Sequence, residues 1–336
     1  MDPGTFDLDK LLQLRAAGIT RLSLGVQSFD KDVLKKCGRA HTVEDVDKAL
    51  KLVLSSDFKN NFSVDLISSL PGLSVDLWQE TLQKAAGSGC SHISVYDLQV
   101  EDKTAFGRWY SPGVFPLPTD EQSALMYCRA SEILKSFGYE HYEVSNYAKP
   151  GKRSQHNQRY WGCKPTWGFG MGAASFIKNN RFTRPDRMID YSEWLQQLEL
   201  NGFTNSTVVV DDEDLNGLSD SLTNKFAIDD GDDSELVISE GIVSPPGSAD
   251  ILEVVMLALR TSDGLDLESL GSEYGAVSVE KVLTAVRPFV EKGLVSLKSE
   301  GNTNSSLSAS NICLTDPQGF LLSNDIISSV FVELTC

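Results

Sequence analysis

The chain has no two cysteines close enough to form a local metal or redox motif. Its six, Cys37, Cys90, Cys128, Cys163, Cys313 and Cys336, approach no nearer than the 23 positions separating the last two. That spacing excludes CxxC pairs and the dense disulfide frameworks of small secreted domains, and it fits a soluble protein of a reducing compartment. No stretch nears the roughly 18 consecutive apolar residues that a membrane-spanning helix requires, so no integral membrane segment is expected. Positive charge is scarce as well, with 30 Lys and Arg against 47 Asp and Glu for a net charge of −17. Proteins that grip phosphate backbones concentrate cations on one face, so nucleic acid is not an expected partner. The opening MDPGTFDLDK is neither an apolar signal segment nor an Arg-rich transit peptide.

What the 336 residues do contain is a rhythm. Over the first two hundred positions, short runs of strand formers alternate with amphipathic stretches, the pattern of a parallel α/β architecture. Leu8, Leu11 and Leu12 open a helical face that stops at Gly18, and residues 20–26 read as a strand. Thr42 is an N-cap for a helix whose buried face is Val46, Ala49, Leu50, Val53 and Leu54. Strands follow at 62–67, 93–98 and 139–144, with a capping box at Thr119 and Gln122 opening the helix before the last of them. The glycines at 168, 170 and 172 punctuate a fifth expected strand, placed where backbone comes close to a neighbour. They lack the spacing and the strand-to-helix setting of a dinucleotide fingerprint.

Negative charge is concentrated in one place. Residues 204–250 hold twelve Asp and Glu against the single Lys225, so this stretch supplies −11 of the −17. Rich in Ser, Asp, Asn and Gly, it cannot bury enough apolar surface to offset its ordering entropy. The expected organisation is therefore residues 1–203 as an α/β domain, 204–249 as a disordered acidic insertion or linker, and 250–336 as a small helical, wing-bearing domain. The acidic run from Asp211 to Asp214 reads as solvated chain and not as a metal site.

Six blocks carry a resemblance. Residues 18–29 (GITRLSLGVQSF), 38–41 (GRAH) and 64–72 (VDLISSLPG) resemble, in order and spacing, the radical S-adenosylmethionine (SAM) family that contains HemW-type haem chaperones and the oxygen-independent coproporphyrinogen III oxidases. Residues 94–98 with Glu101 and Thr104, 142–148 (YEVSNYA) and 156–161 (HNQRYW) resemble the HemW branch. The likeness resumes at 257–260 (LALR) and at Leu314-Thr315 with Gly319.

The resemblance implies an incomplete (β/α)6-type partial barrel with a winged-helix-like C-terminal domain, and a ligand lying across the carboxyl ends of the strands. By position, Gln27, Arg39 and Asp65 match residues that contact SAM. Asp65 would accept from the ribose hydroxyls, Arg39 would pair with the methionyl carboxylate, and Gln27 would bond to either part. Outside their blocks the same residues read as a turn aspartate, a surface arginine and a solvated amide. The block at 156–161 reads two ways. His156 can be an axial haem ligand with Asn157, Tyr160 and Trp161 lining the macrocycle, or His156 and Asn157 can tie a loop while the aromatics fill core. His41, His92 and His141 read as structural or exposed.

Radical SAM enzymes bind a [4Fe–4S] cluster through a CxxxCxxC loop, and this chain has none. The resemblance places that loop before Met1, since Asp2-Pro3-Gly4-Thr5 matches a block that follows the third barrel strand, so an N-terminally truncated chain is the expectation. No catalytic residue, no metal site and no independent radical catalysis are expected here. The expected function is that of a haem chaperone, binding haem for transfer to haem-accepting proteins, with SAM and the cluster belonging to the full-length form. The alternatives are an oxygen-independent coproporphyrinogen III dehydrogenase of porphyrin biosynthesis, or a non-catalytic fragment. The expected location is the cytoplasm, or a mitochondrion or chloroplast if a targeting segment was lost with the N-terminus.

Overall fold

A computed structural model describes residues 1–200, 248–298 and 310–336. They group into two compact units, Met1–Cys163 with Val243–Leu334, and Lys164–Ile242 with Thr335–Cys336. Apart from Ser248 and Ala249, the expected acidic insertion, including Asp211 to Asp214, lies outside the described residues.

The first unit is built on a five-stranded sheet. Strands β1 (Leu22–Gln27), β2 (Phe62–Ser68) and β3 (His92–Asp97) are mutually parallel. Strands β4 (Glu140–Glu143) and β5 (Asn146–Ala148) complete the order β1-β2-β3-β5-β4, with β5 antiparallel to both neighbours. The period of two sorts the side chains. Leu22, Leu24 and Val26, Phe62, Val64 and Leu66, and Ile93 and Val95 all enter one core. Ser23, Asp65, Ser94 and their strand neighbours are left on the opposite face.

Helices cover the apolar side. In α3 (Val43–Leu54), Thr42 and Asp45 form a reciprocal capping box, and Val46, Ala49, Leu50 and Val53 are buried. Leu54, expected on that face, is 42% exposed. Helix α4 (Val75–Gly87) buries Trp78, whose indole donates to the Met126 carbonyl of α6 (Asp120–Ser136) at 2.9 Å. The capping box at Thr119 and Gln122 is present. Helix α1 (Leu8–Ala16) departs from expectation, since only Leu11 is buried while Leu8 and Leu12 are 44% and 56% exposed. Two short helices, α2 (Lys31–Lys36) and α5 (Ala105–Trp109), occupy connections.

The strand expected at 139–144 is present as β4; it turns back at Val144 and Ser145 and pairs antiparallel with β5. One expected strand is corrected. The glycine run is not a strand, because Gly170 and Gly172 adopt φ of +91° and +66°, outside extended backbone. The close approach expected there is real, since a Cβ on Gly168 would lie 2.3 Å from the Ala174 carbonyl oxygen. The strands of this region are β6 (Ala174–Ile177) and β7 (Asn180–Thr183), a separate hairpin in the second unit, followed by α8 (Met188–Leu200).

The C-terminal part of the first unit has the expected helical and winged character. Helices α9 (Ile251–Leu259), α10 (Leu267–Tyr274) and α11 (Ala276–Glu291) surround a three-stranded sheet in the order β8-β10-β9, from β8 (Leu265–Asp266), β9 (Val295–Lys298) and β10 (Asn311–Leu314). Helices α12 (Gln318–Leu321) and α13 (Ser323–Thr335) follow. This part is fastened to the five-stranded sheet by backbone and by a polar clasp. The Val144 amide donates to the Arg260 carbonyl at 3.1 Å and the Ser262 amide to the Tyr142 carbonyl at 2.9 Å. Asp316 accepts from Ser131 Oγ at 2.7 Å, bonds His141 Nδ1 at 2.6 Å and pairs with Lys135.

Candidate functional site

The polar face of the sheet places two of the three expected SAM contacts. Asp65 lies opposite Gly25 in the β1–β2 register, and the register shifts between Gly25 and Gln27. Gln27 itself has φ of +66°, a left-handed conformation that turns it out of the strand. A Cβ on Gly25 would lie 2.9 Å from Gln27 Nε2 and 3.2 Å from Asp2 Oδ1, so the glycine keeps open a gap that these groups flank. Asp65 is fixed from below, accepting from Ser23 Oγ at 2.6 Å while Ser63 Oγ donates to Ser23 Oγ at 2.8 Å. Arg39 is exposed and lines a 340 Å³ recess with Asp2, Gly4 and His41. Gln27 and Asp65 therefore come together around Gly25, and Arg39 stands in a recess whose lining includes Asp2 but neither of them.

All six cysteines are free, and among the described residues no group of three or more His, Cys, Asp and Glu is placed to hold a metal ion. The groups flanking Gly25 suit a polar organic ligand, offering a carboxylate, an amide and a position without a Cβ.

The block at 156–161 forms a short helix, α7 (Gln155–Trp161), capped by Ser154. Helical rotation divides its four expected haem residues. Asn157, Tyr160 and Trp161 line a 720 Å³ cavity with Tyr96, Tyr127 and Phe320 among its walls. His156 is exposed and lines a different, 570 Å³ pocket. Across the two, the His156 and Tyr160 rings meet at 4.8 Å and 89°, and Ser154 Oγ donates to Asn157 Oδ1 at 3.1 Å.

The His156 pocket is basic. Arg15, Arg21, Lys152 and Arg153 line it, against the single carboxylate of Asp57. Arg21 is half-buried just before β1, and its guanidinium pKa is lowered by burial, while Tyr142 and Asp65 act in the opposite direction. Arg153 is held by Asp263 at 2.9 Å and crosses the Tyr142 ring at 5.4 Å. Sequence reading missed these four cations, because they arrive from two stretches far apart in the chain, Arg15 with Arg21 and Lys152 with Arg153.

The larger cavity has the opposite sign, with Asp97, Asp120 and Glu143 facing Arg260. Glu143 is 1% exposed, and burial pushes its pKa up to about 7 despite the amide of Asn146 and the Ser145 N–H. It lies in a quoted block, but nothing in the sequence distinguished it from a solvated glutamate. The remaining histidines are structural. His92 bonds the Tyr142 hydroxyl at 2.8 Å and is held neutral by burial, its pKa lowered to about 3, while His41 bonds the Val26 carbonyl at 3.2 Å.

Comparison with known proteins places the chain in a family. The Radical SAM superfamily model matches residues 2–85, and the HemN C-terminal domain model matches residues 248–301. A heme chaperone HemW from Synechocystis is 33% identical over 340 aligned residues, which cover 99% of this chain and 74% of that protein. HemW from Bacillus subtilis is 38% identical over 180 residues, 54% of this chain and 47% of its own length. The mitochondrial radical S-adenosyl methionine domain-containing protein 1 of Mus musculus is 34% identical over 200 residues, 57% of this chain and 45% of its own. This chain thus spans about three quarters of the first relative, and its matches to the other two span under half of theirs. Among solved structures, the radical SAM enzyme coproporphyrinogen III oxidase HemN from Escherichia coli superposes with a TM-score of 0.66 at 20% identity, over 98% of this chain and 68% of that one. At that identity the likeness is one of fold.

Proposed function

Because the chain belongs to the HemW heme chaperone family of radical SAM proteins, we propose that it binds haem as cargo at His156 and passes it to haem-accepting proteins. The observation that carries the reading is the pairing of an exposed imidazole with four cationic side chains in one 570 Å³ pocket. Haem iron takes an imidazole nitrogen as axial ligand, and the two haem propionates require cations. Arg15, Arg21 and Lys152 supply them, Arg153 being already held by Asp263 and Glu140. Tyr160 limits rotation of the imidazole from one side, while Asn157 and Trp161, turned toward the larger cavity, support the helix and not the macrocycle.

A cargo site must release as well as bind. An exposed ligand on a seven-residue helix, rather than one buried in a closed pocket, suits transfer. SAM, when bound, would supply a polar nucleoside for Asp65 and Gln27 beside Gly25 to hydrogen-bond and orient. Optical titration of the chain with ferric haem tests the proposal. Saturable, one-to-one uptake with the spectrum of histidine-ligated haem is expected, and non-saturating uptake with the spectrum of free haem overturns it.

A further inference from the structure

The 720 Å³ cavity has a chemistry that the haem proposal leaves unused. Its innermost ionisable group is Glu143, 1% exposed, with no cationic partner among the described residues. Burying a carboxylate without a countercharge costs several kcal/mol unless it stays protonated or a cation reaches it. Beside it Asn146 is 3% exposed, lines the same cavity and has an Oδ1 with no hydrogen-bond partner. Buried acceptors in native structures are paired, so an orphan on a residue that lines a cavity marks a place for a donor. Asp97 and Asp120 add two more carboxylates to the lining. The one arginine there, Arg260, is already engaged, donating to Asn324 Oδ1 at 2.8 Å.

The walls complete the description. Tyr96, Tyr160 and Trp161 present aromatic rings to this space, and ring faces attract cations that have left bulk water. A pocket with an apolar lining and a few convergent polar groups is the usual form of a small-molecule site. Taken together, an unpaired buried acid, an unsatisfied acceptor and aromatic walls are complementary to one class of ligand. We propose that the cavity is a second ligand site, separate from the His156 pocket, which takes a small organic cation, an ammonium on an apolar body, with its charge set against Glu143.

The ammonium would donate to the Glu143 carboxylate and to Asn146 Oδ1, satisfying both, while the apolar body packs on the tyrosine and tryptophan rings. Calorimetric titration of the full chain at pH 8 with 2-phenylethylammonium and with its neutral counterpart 2-phenylethanol tests this. The ammonium is expected to bind about tenfold tighter or more, and Glu143→Gln to shrink that preference to about twofold or less. Glu143 is buried, so circular dichroism must show the variant folded; the exposed Asp120→Asn, which does not endanger the fold, is expected to weaken the ammonium alone. Equal affinity for the two probes, binding of neither, or a preference that survives in folded Glu143→Gln would overturn the proposal. None of these outcomes depends on haem uptake.

Discussion

The imidazole of His156 stands edge-on to the ring of Tyr160, centroids 4.8 Å apart and planes at 89°. The two residues are four apart on α7, the spacing that stacks side chains on one helix face. If this contact orients the ring for the iron, Tyr160→Phe should retain haem as the parent does. Tyr160→Ala should weaken retention a few-fold, because the freed imidazole loses rotamer entropy on binding. Competition against apomyoglobin measures both.

The cations of the pocket should read the propionates. Lys152→Ala removes one of them from an exposed position, where a single screened pair contributes no more than about 1 kcal/mol. A roughly two- to fivefold loss of affinity for haem is expected, with little change for the dimethyl ester, which lacks the charges. Equal effects on the two ligands would remove Lys152 from propionate binding.

Glu143 should make stability depend on pH in the direction opposite to an ion-paired carboxylate. Its pKa rises from the usual 4.5 to about 7 on folding, through burial. The folded state therefore binds the proton more tightly than the unfolded one, and stability falls as pH rises from about 4.5 through about 7. The full cost is on the order of 3 kcal/mol. Glu143→Gln should be more stable than the parent at pH 8 by up to that amount and close to it at pH 5, as urea denaturation at the two pH values would show.

Asp316 has the opposite sign. Although burial alone would raise its pKa, the bonds from His141, Lys135 and Ser131 hold it down at about 2. Its contribution is present above the unfolded value near 3.8 and is lost as pH falls through about 2. Asp316→Asn leaves the fully buried His141 side chain and Ser131 without their carboxylate. A loss of about 1–3 kcal/mol at pH 7 is expected in thermal or denaturant unfolding.

Much of the fold was legible because its signals are local. Alternation gave β1, β2 and β3, and the Thr42 and Thr119 caps located α3 and α6. The hairpin of β4 and β5 was not legible, since Val144 and Ser145 make its turn without the Gly, Asn or Asp that announces one. The strand assigned to the glycine run failed because a pattern of glycines cannot show which of them adopt positive φ.

At the site, motif order identified α7 and the groups around Gly25, but not how they face. One helical turn separates His156 from Trp161 in two different cavities, and Arg15 and Arg21 reach His156 only through tertiary packing. Burial converts Glu143 from a common surface residue into a group that titrates near neutrality. No local property of the sequence encodes that change.

The most direct test of the account is the absorption spectrum of ferric haem bound to His156→Ala, compared with the parent chain. The account predicts loss of the histidine-ligated spectrum, an affinity reduced by about tenfold or more, and recovery of an imidazole-ligated spectrum when free imidazole is added. An unchanged Soret band and unchanged affinity in the folded variant would contradict it.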